Sequence, residues 1–373
     1  MQCPQCADEL PDDDLFCEAC GTPLSSTAEP PACVCGARAS EIDDDGYCSR
    51  CGRRARRPPT DHVETVLSPI CAAVSDRGLK HARNEDRFGV RQSGAGYALV
   101  VCDGVSSSRE SELASSAVAG IVSELLADAK GDGESAMRQA IAAGQAALAA
   151  HPARFGDDNP PSTTVVAALV KDGGVTVGWV GDSRAYWIGA GGARQLTSDH
   201  SWMNSVVSSG EMTAEEAALR PEAHSITRWL GADAGENAIA DTAGFPLTSP
   251  GVLLLCTDGL WNYAATPQAI AEIVQEASGN GADALTVARK LVDFANAEGG
   301  HDNITAVVCQ LPSLQSSSEV GRDVGCLVWQ PILAAGGLSG RPAGWKASLQ
   351  ARLPATQSDS AAQLPHEIGN PNA

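Results

Sequence analysis

Positive charge is scarce in this chain. Its 373 residues carry 26 Lys and Arg against 46 Asp and Glu, a formal net charge of −20. So acidic a surface repels nucleic acid and anionic membranes, and neither is an expected partner. Long apolar runs are missing as well: nowhere do about 18 consecutive apolar residues occur, so no membrane-spanning helix is expected. The opening residues, MQCPQCADEL, lack the basic-then-apolar order of a secretory signal. A reducing cytoplasm is therefore the expected compartment, and it weakens any account of the cysteines as disulfides. Hydrophobic residues make up 43% of the chain, enough for one sizeable core with small appendages.

Cysteine is present but unevenly spread. Of 13 in all, eight fall in the first 51 residues: Cys3, Cys6, Cys17, Cys20, Cys33, Cys35, Cys48 and Cys51. The first four form two Cys-x-x-Cys pairs, the spacing at which two tight knuckles bring four thiolates together around zinc. The second four begin with Cys-x-Cys, a departure from that spacing. Residues 1–24 and 33–52 thus read as two zinc ribbons, similar to those found at the ends of many bacterial regulatory proteins. Neither has the apolar content for a core of its own, so about two structural Zn²⁺ would supply most of the folding free energy. Disulfides or a redox pair are the alternative. Because both segments are rich in Asp and Glu, they suit protein docking better than nucleic acid.

Residues 53–69 open with RRARRPP and read as a basic, Pro-containing linker. The main body spans 70–311. Beyond it, 312–373 is rich in Ser, Pro, Gly, Ala and Gln with little periodicity, and a disordered tail is expected. Within the body, Val-, Leu- and Ile-rich runs predict strands at 97–102, 164–170, 175–180, 184–188, 252–256 and 304–309. Helical spacing appears at 110–129, where Leu113, Ala117, Ile121 and Leu125 share one face, and again at 134–150, 214–219, 267–277 and 282–297. Short Gly-containing turns such as KDGG and GAGG join several strands. The pattern predicts an α+β fold of antiparallel sheets with helices packed outside.

Three of these strands deliver carboxylates. YALVVC ends in Asp103-Gly104, GVLLLC is followed by Thr257 and then Asp258-Gly259, and Asp302-Asn303 opens ITAVV. Upstream, RNED supplies Glu85 and Asp86. Any one of these is explained by an ordinary turn, since Asp-Gly favours turns after strands. Three carboxylates at the ends of buried strands are another matter. Unpaired, they would repel one another and lose hydration, and divalent cations offset both costs. Oxygen-only ligands suit Mg²⁺ or Mn²⁺, with glycine after Asp103 leaving room for its carbonyl to approach an ion.

The ordered series GLKHARNED, CDG, PSTT, GDSRAYW, LTSDHS, TRWLG, CTDGLW and HDNITAVV resembles the type-2C (PPM) metal-dependent serine/threonine protein phosphatases, over essentially all of 70–311. The resemblance implies a β-sandwich of two antiparallel sheets with helices on both outer faces and a two-metal cleft at one end. It also implies roles. Asp103 would bridge both metals and Gly104 would offer its carbonyl, with Asp258 and Asp302 as further ligands. Asp86 would act near the metals, often through water, and Asp182 would help hold a weaker third ion. Two Mn²⁺ or Mg²⁺ would activate water to cleave phosphoserine or phosphothreonine with no covalent intermediate. Phosphoproteins of a Ser/Thr kinase system would be the substrates, and the ribbons would recruit a protein partner.

The chain departs from the family in two places. His81 stands where an arginine usually grips substrate phosphate, with Lys80 and Arg83 nearby. Val105-Ser106-Ser107-Ser108 stand where many members carry the general-acid histidine, which leaves water at the metals, His81 or His224 to protonate the leaving group. Residues 208–231, which include His224, resemble the mobile flap of bacterial members. The competing readings are a degenerate phosphatase fold acting as a scaffold and a different metal hydrolase, such as a nuclease.

Overall fold

The computed structural model describes residues 33–38, 41–42, 47–53, 59–150 and 159–312. In chain order the body opens with β1 (His62–Ser68), β2 (Cys71–Asp76), β3 (Arg87–Ser93) and β4 (Gly96–Cys102). Two long helices follow, α1 (Ser111–Ala127) and α2 (Gly133–Ala149), then β5 (Ser162–Thr163), β6 (Val165–Lys171), β7 (Gly174–Val180), β8 (Arg184–Gly189) and β9 (Gly192–Gln195). A mostly helical excursion carries α3 (Trp202–Ser208) and α4 (Ala214–Ala218) before β10 (Leu230–Gly231), β11 (Asp241–Pro246) and β12 (Gly251–Cys256). The single turn α5 (Asp258–Trp261), α6 (Pro267–Ala277), α7 (Ala284–Ala297) and β13 (Ile304–Leu311) complete it.

The strands form a six-stranded sheet, β1-β2-β13-β12-β8-β9, and a five-stranded sheet, β11-β7-β6-β4-β3, with β5 and β10 as a small separate pair. Every neighbouring pair is antiparallel. One apolar cluster, including Leu99, Val166, Val177, Trp187, Leu253 and Val307, lies between the two sheets. The other face of the six-stranded sheet packs on α6 and α7 through residues such as Ile270, Val274 and Leu291. The other face of the five-stranded sheet packs on α1 and α2 through Val118, Val122, Met137 and Ile141. These four layers are the expected α+β sandwich. The central strands are buried on both faces, which is why they read as continuous apolar runs.

Local signals agree. Asp132, Thr266 and Asp283 each accept a backbone N–H at the start of α2, α6 and α7, and Pro267 occupies the first turn of α6. The KDGG turn joins β6 to β7 with Asp172 and Gly173 both at positive φ (50° and 79°), the conformation that a two-residue hairpin needs.

Two expectations need correction. Residues 62–68, read as part of the linker, are strand β1, an edge of the six-stranded sheet paired to β2. Just before it, Asp61 is buried and lies 3.3 Å from Arg77 Nε, so the body begins earlier than residue 70. On α1, Leu113 and Leu125 point outward, and the buried face is Ser111, Ala114, Ser115, Val118, Ala119, Val122, Ser123 and Leu126. Small residues win that face because the helix lies hard against β3: a Cβ on Gly89 would fall 2.6 Å from Ser123 Cβ and 2.7 Å from the Ala119 carbonyl. The first ribbon, with Cys3, Cys6, Cys17 and Cys20, lies outside the described residues, as does the tail from residue 313.

Candidate active site

Antiparallel pairing puts several turns at one edge of the sandwich. Arg87 at the start of β3 pairs with Cys102 at the end of β4, and Cys256 at the end of β12 pairs with both Arg184 of β8 and Ala306 of β13. The residues just outside these strand ends, Asp86, Asp103, Asp182, Asp258 and Asp302, therefore share an edge. Asp103, Asp182, Asp258 and Asp302 line one cleft of about 450 Å³, together with Gly104, Val105 to Ser108, His224, Ile226, Trp229 and Asp233. Asp86 lies in the protein beneath them, 1% exposed.

The backbone on either side of Asp103 is tied down. Its carbonyl accepts from Thr164 N and Thr163 Oγ1, both at 2.8 Å, and its N–H donates to Thr164 Oγ1 at 3.2 Å. This is the work of the PSTT motif. The fold adds its own reason for glycine at 104: a Cβ there would lie 2.8 Å from Glu85 O and 2.9 Å from Ser111 Cβ. The Asp182 turn is buttressed in turn. Trp261 Nε1 donates to Asp182 O at 3.1 Å, and the Arg184 guanidinium stacks 3.6 Å over the Trp261 ring. That guanidinium also grips both carboxylate oxygens of Asp199, from the LTSDHS motif.

Charge is crowded here. Burial first, and then the neighbouring carboxylates, push Asp103 and Asp258 well above the usual range, although each keeps some exposure to the cleft. Asp182 is pushed up to about 7 by burial and by Asp199. Asp86 also rises to about 7, chiefly through burial, despite hydrogen bonds from Thr257 and Thr305 that oppose the shift. Both threonine hydroxyls donate to Asp86 Oδ2 at 2.8 Å, while Asp86 Oδ1 and Asp258 Oδ1 are buried and accept no hydrogen bond. An all-oxygen donor set with buried, unmet carboxylate oxygens fits a hard divalent cation, which would offset the repulsion and the lost hydration together.

His81 is drawn to one side of this cluster, its Nε2 3.1 Å from Asp302 Oδ1. It is absent from the described residues lining the cleft, among which there is no Lys or Arg and His224 is the single imidazole. Arg83 instead faces Glu112 (3.3 Å) and Glu85 (4.0 Å). Ser106, in the segment that replaces the family's histidine, donates to Glu85 Oε2 at 2.8 Å.

Sequence reasoning missed the residues that hold these carboxylates. Asn303 is the main one. Its side chain accepts from Glu85 N (2.7 Å) and donates to the carbonyls of Arg77 (2.8 Å) and Arg83 (3.0 Å), pinning the RNED segment against the start of β13. Thr257 and Thr305 are the others, hidden in strand-like runs where a hydroxyl looks incidental. Asn303→Ala removes three hydrogen bonds, two of them buried, and is expected to cost about 2 kcal/mol or more. A denaturant melt that moves by less than about 1 kcal/mol would contradict that reading of the network.

A second cluster is formed by Cys33, Cys35, Cys48 and Cys51, whose sulfurs all lie within 4.8 Å of one another. Cys33 and Cys51 sulfurs are 3.5 Å apart, as are those of Cys35 and Cys48. The short Cys-x-Cys spacing therefore still allows four thiols to converge.

Five aspartates thus gather at one end of a sandwich of this layering, and comparison with known proteins names the lineage. The family described as Protein phosphatase 2C matches residues 78–295, and the chain belongs to it. A zinc-ribbon domain matches residues 2–24. The serine/threonine phosphatase Stp of Listeria welshimeri is 29% identical over 255 residues, covering 67% of this chain and 97% of that protein. The Mycobacterium tuberculosis serine/threonine protein phosphatase PstP is 32% identical over 270 residues, 72% of this chain and 48% of that one. The crystal structure of the M. tuberculosis enzyme matches with a TM-score of 0.56 at 30% identity, over 65% of this chain and 98% of that one. A PstP catalytic domain solved in complex with two manganese ions matches with a TM-score of 0.54 at 29% identity, covering 67% and 99%.

Proposed function

We propose that this protein is a serine/threonine phosphatase that hydrolyses phosphoserine and phosphothreonine in proteins. The observation that carries this reading is the convergence of Asp103, Asp182, Asp258 and Asp302 on one cleft above buried Asp86. Asp103, Asp258, Asp302 and the Gly104 carbonyl would hold two Mn²⁺ or Mg²⁺, with Asp86 beneath and Asp182 holding a weaker third ion. Bound there, the cations would make water nucleophilic toward phosphorus and offset charge on the leaving oxygen.

The chain's own residues divide the remaining work. Asp103, fixed by Thr163 and Thr164, sets where the reacting groups meet. His81 orients Asp302 from outside the cleft, and through that carboxylate takes part in catalysis. His224, on the excursion after β9, lines the cleft and would give a proton to the leaving serine or threonine oxygen. Substrates would come from a Ser/Thr kinase system in the reducing cytoplasm. Among the described residues no helix is long and apolar enough to cross a membrane.

The test is direct. The full chain is expected to release phosphate from a phosphothreonine peptide in a Mn²⁺-dependent way. No turnover at any Mn²⁺ concentration, with tight binding of a partner protein, would replace the enzyme by a scaffold.

The cysteine clusters would each take one structural zinc: Cys3, Cys6, Cys17 and Cys20 in the first, and Cys33, Cys35, Cys48 and Cys51 in the second. Elemental analysis of the reduced, metal-replete chain is expected to give about two Zn²⁺ per molecule. A value near one assigns zinc to a single module, and a value near zero removes both.

A further inference from the structure

The cleft is larger than a phosphoryl group and a serine side chain require, and part of its lining is apolar. Ile226 and Trp229, both half-buried, line it together with the strand-end carboxylates. Trp229 is held in place. Its indole N–H donates to Asp233 Oδ1 at 3.0 Å, and Asp233 Oδ1 also accepts from Ser162 Oγ at 3.5 Å. The next residue, Leu230, is fully buried and pairs with Thr163, itself one of the two threonines that anchor Asp103. Gly231 is clamped from the other side, its N–H and carbonyl both bonded to the Gln145 amide at 2.9 and 2.8 Å. Below it, Ser162 N donates to Ser108 Oγ and Ser162 O accepts from Val105 N. The wall is thus one hydrogen-bonded unit from the Ser106–Ser108 segment to Asp233, rigidly placed relative to Asp103.

A fixed aromatic face beside a reaction centre costs little entropy to use and favours an apolar partner over water. We infer that Trp229 and Ile226 form a subsite for an apolar side chain adjacent to the phosphorylated residue. This inference rests on the phosphatase reading for the identity of the reaction, and names the sequence class of its substrates. Burying one leucine side chain there would favour it over glycine by about tenfold or more in kcat/KM.

The test uses the full chain and labelled phosphothreonine peptides that differ only in carrying Leu or Gly directly before or directly after the phosphothreonine. Turnover is measured with Mn²⁺ on the unaltered chain, and binding by fluorescence polarisation on the Asp103→Asn chain. A Leu preference of about tenfold in both is expected for at least one position. Trp229→Ala should collapse the ratio toward one, and Trp229→Phe should keep most of it. Ile226→Ser, which disturbs none of the bonds that hold the wall, should lower the ratio by a smaller factor. A preference below about twofold, or one that survives Trp229→Ala and Ile226→Ser unchanged, overturns the subsite. A Trp229-dependent Leu preference in binding, with no peptide hydrolysed, keeps the subsite and removes the phosphatase reading.

Discussion

Asp103→Asn will lower Mn²⁺-supported phosphate release by roughly a thousandfold while making the metal-free protein more stable. The two effects have one cause. Asp103 is the carboxylate most crowded by its fellows: burial, Asp86, Asp258, Asp302 and Asp182 all push its proton affinity up. An amide of the same shape removes that repulsion without disturbing the Thr163 and Thr164 bonds, because those are made to the backbone. The same change removes the charge that cations require. A thermal melt in EDTA should therefore rise for the variant, and the gain in stability on adding Mn²⁺ should shrink. Retained activity above about a tenth, or a metal-free variant that melts earlier, would show that Asp103 is a structural residue in an ordinary turn.

The second large effect is a pH dependence that divalent cations erase. Asp86 and Asp182 rise to about 7 in the fold, from an ordinary value of 3.8. Below the unfolded value both states are protonated and these groups cost nothing. As pH climbs toward 7 the unfolded chain ionises freely, while the folded chain must hold its protons or accept buried charge. Stability of the metal-free protein is thus lost between about pH 4 and pH 7, and the accumulated loss is on the order of several kcal/mol. Bound Mn²⁺ favours the ionised form and reverses the sign of the carboxylate contribution. The shift in melting temperature on adding Mn²⁺ is expected to be small at pH 5 and large at pH 8. Equal shifts at both would mean that these aspartates are not the groups the metal meets.

Much of the fold was legible because the central strands are sealed on both faces. β4, β6, β12 and β13 show nearly unbroken apolar runs, and their ends place the aspartates. β1 was hidden by its half-exposed edge position, where HVETVLS alternates between exposed and part-buried residues directly after a basic, Pro-containing stretch. β11, DTAGFP, is another edge strand, and carries the Gly and Pro that ordinarily argue against one. The face of α1 was misread because helical spacing alone follows the largest residues. Closeness to Gly89 rewards the smallest ones, and Leu113 and Leu125 are left outside.

At the site, the carboxylates could be found because charge at the end of an apolar strand is conspicuous. Their supports could not be. Asn303, Thr257 and Thr305 earn their places through partners at distant points of the chain: Asn303 bonds Glu85, 218 positions away, and Thr305 bonds Asp86, 219 positions away. Nothing local in the sequence marks such a bond. The position of His81 beside Asp302 is of the same kind.

The antiparallel pairing that gathers the aspartates also sends the KDGG and GAGG hairpins to the opposite rim, about 20 Å away along strands of six to seven residues such as β6 and β8. At that rim the Gly173 carbonyl accepts from Leu247 N at 2.8 Å, which ties the β6–β7 turn to the end of β11. A peptide tag or a tethering sequence spliced into the 190–191 turn between β8 and β9 would hang from the end of the sandwich remote from the aspartates, leaving the chemistry unencumbered.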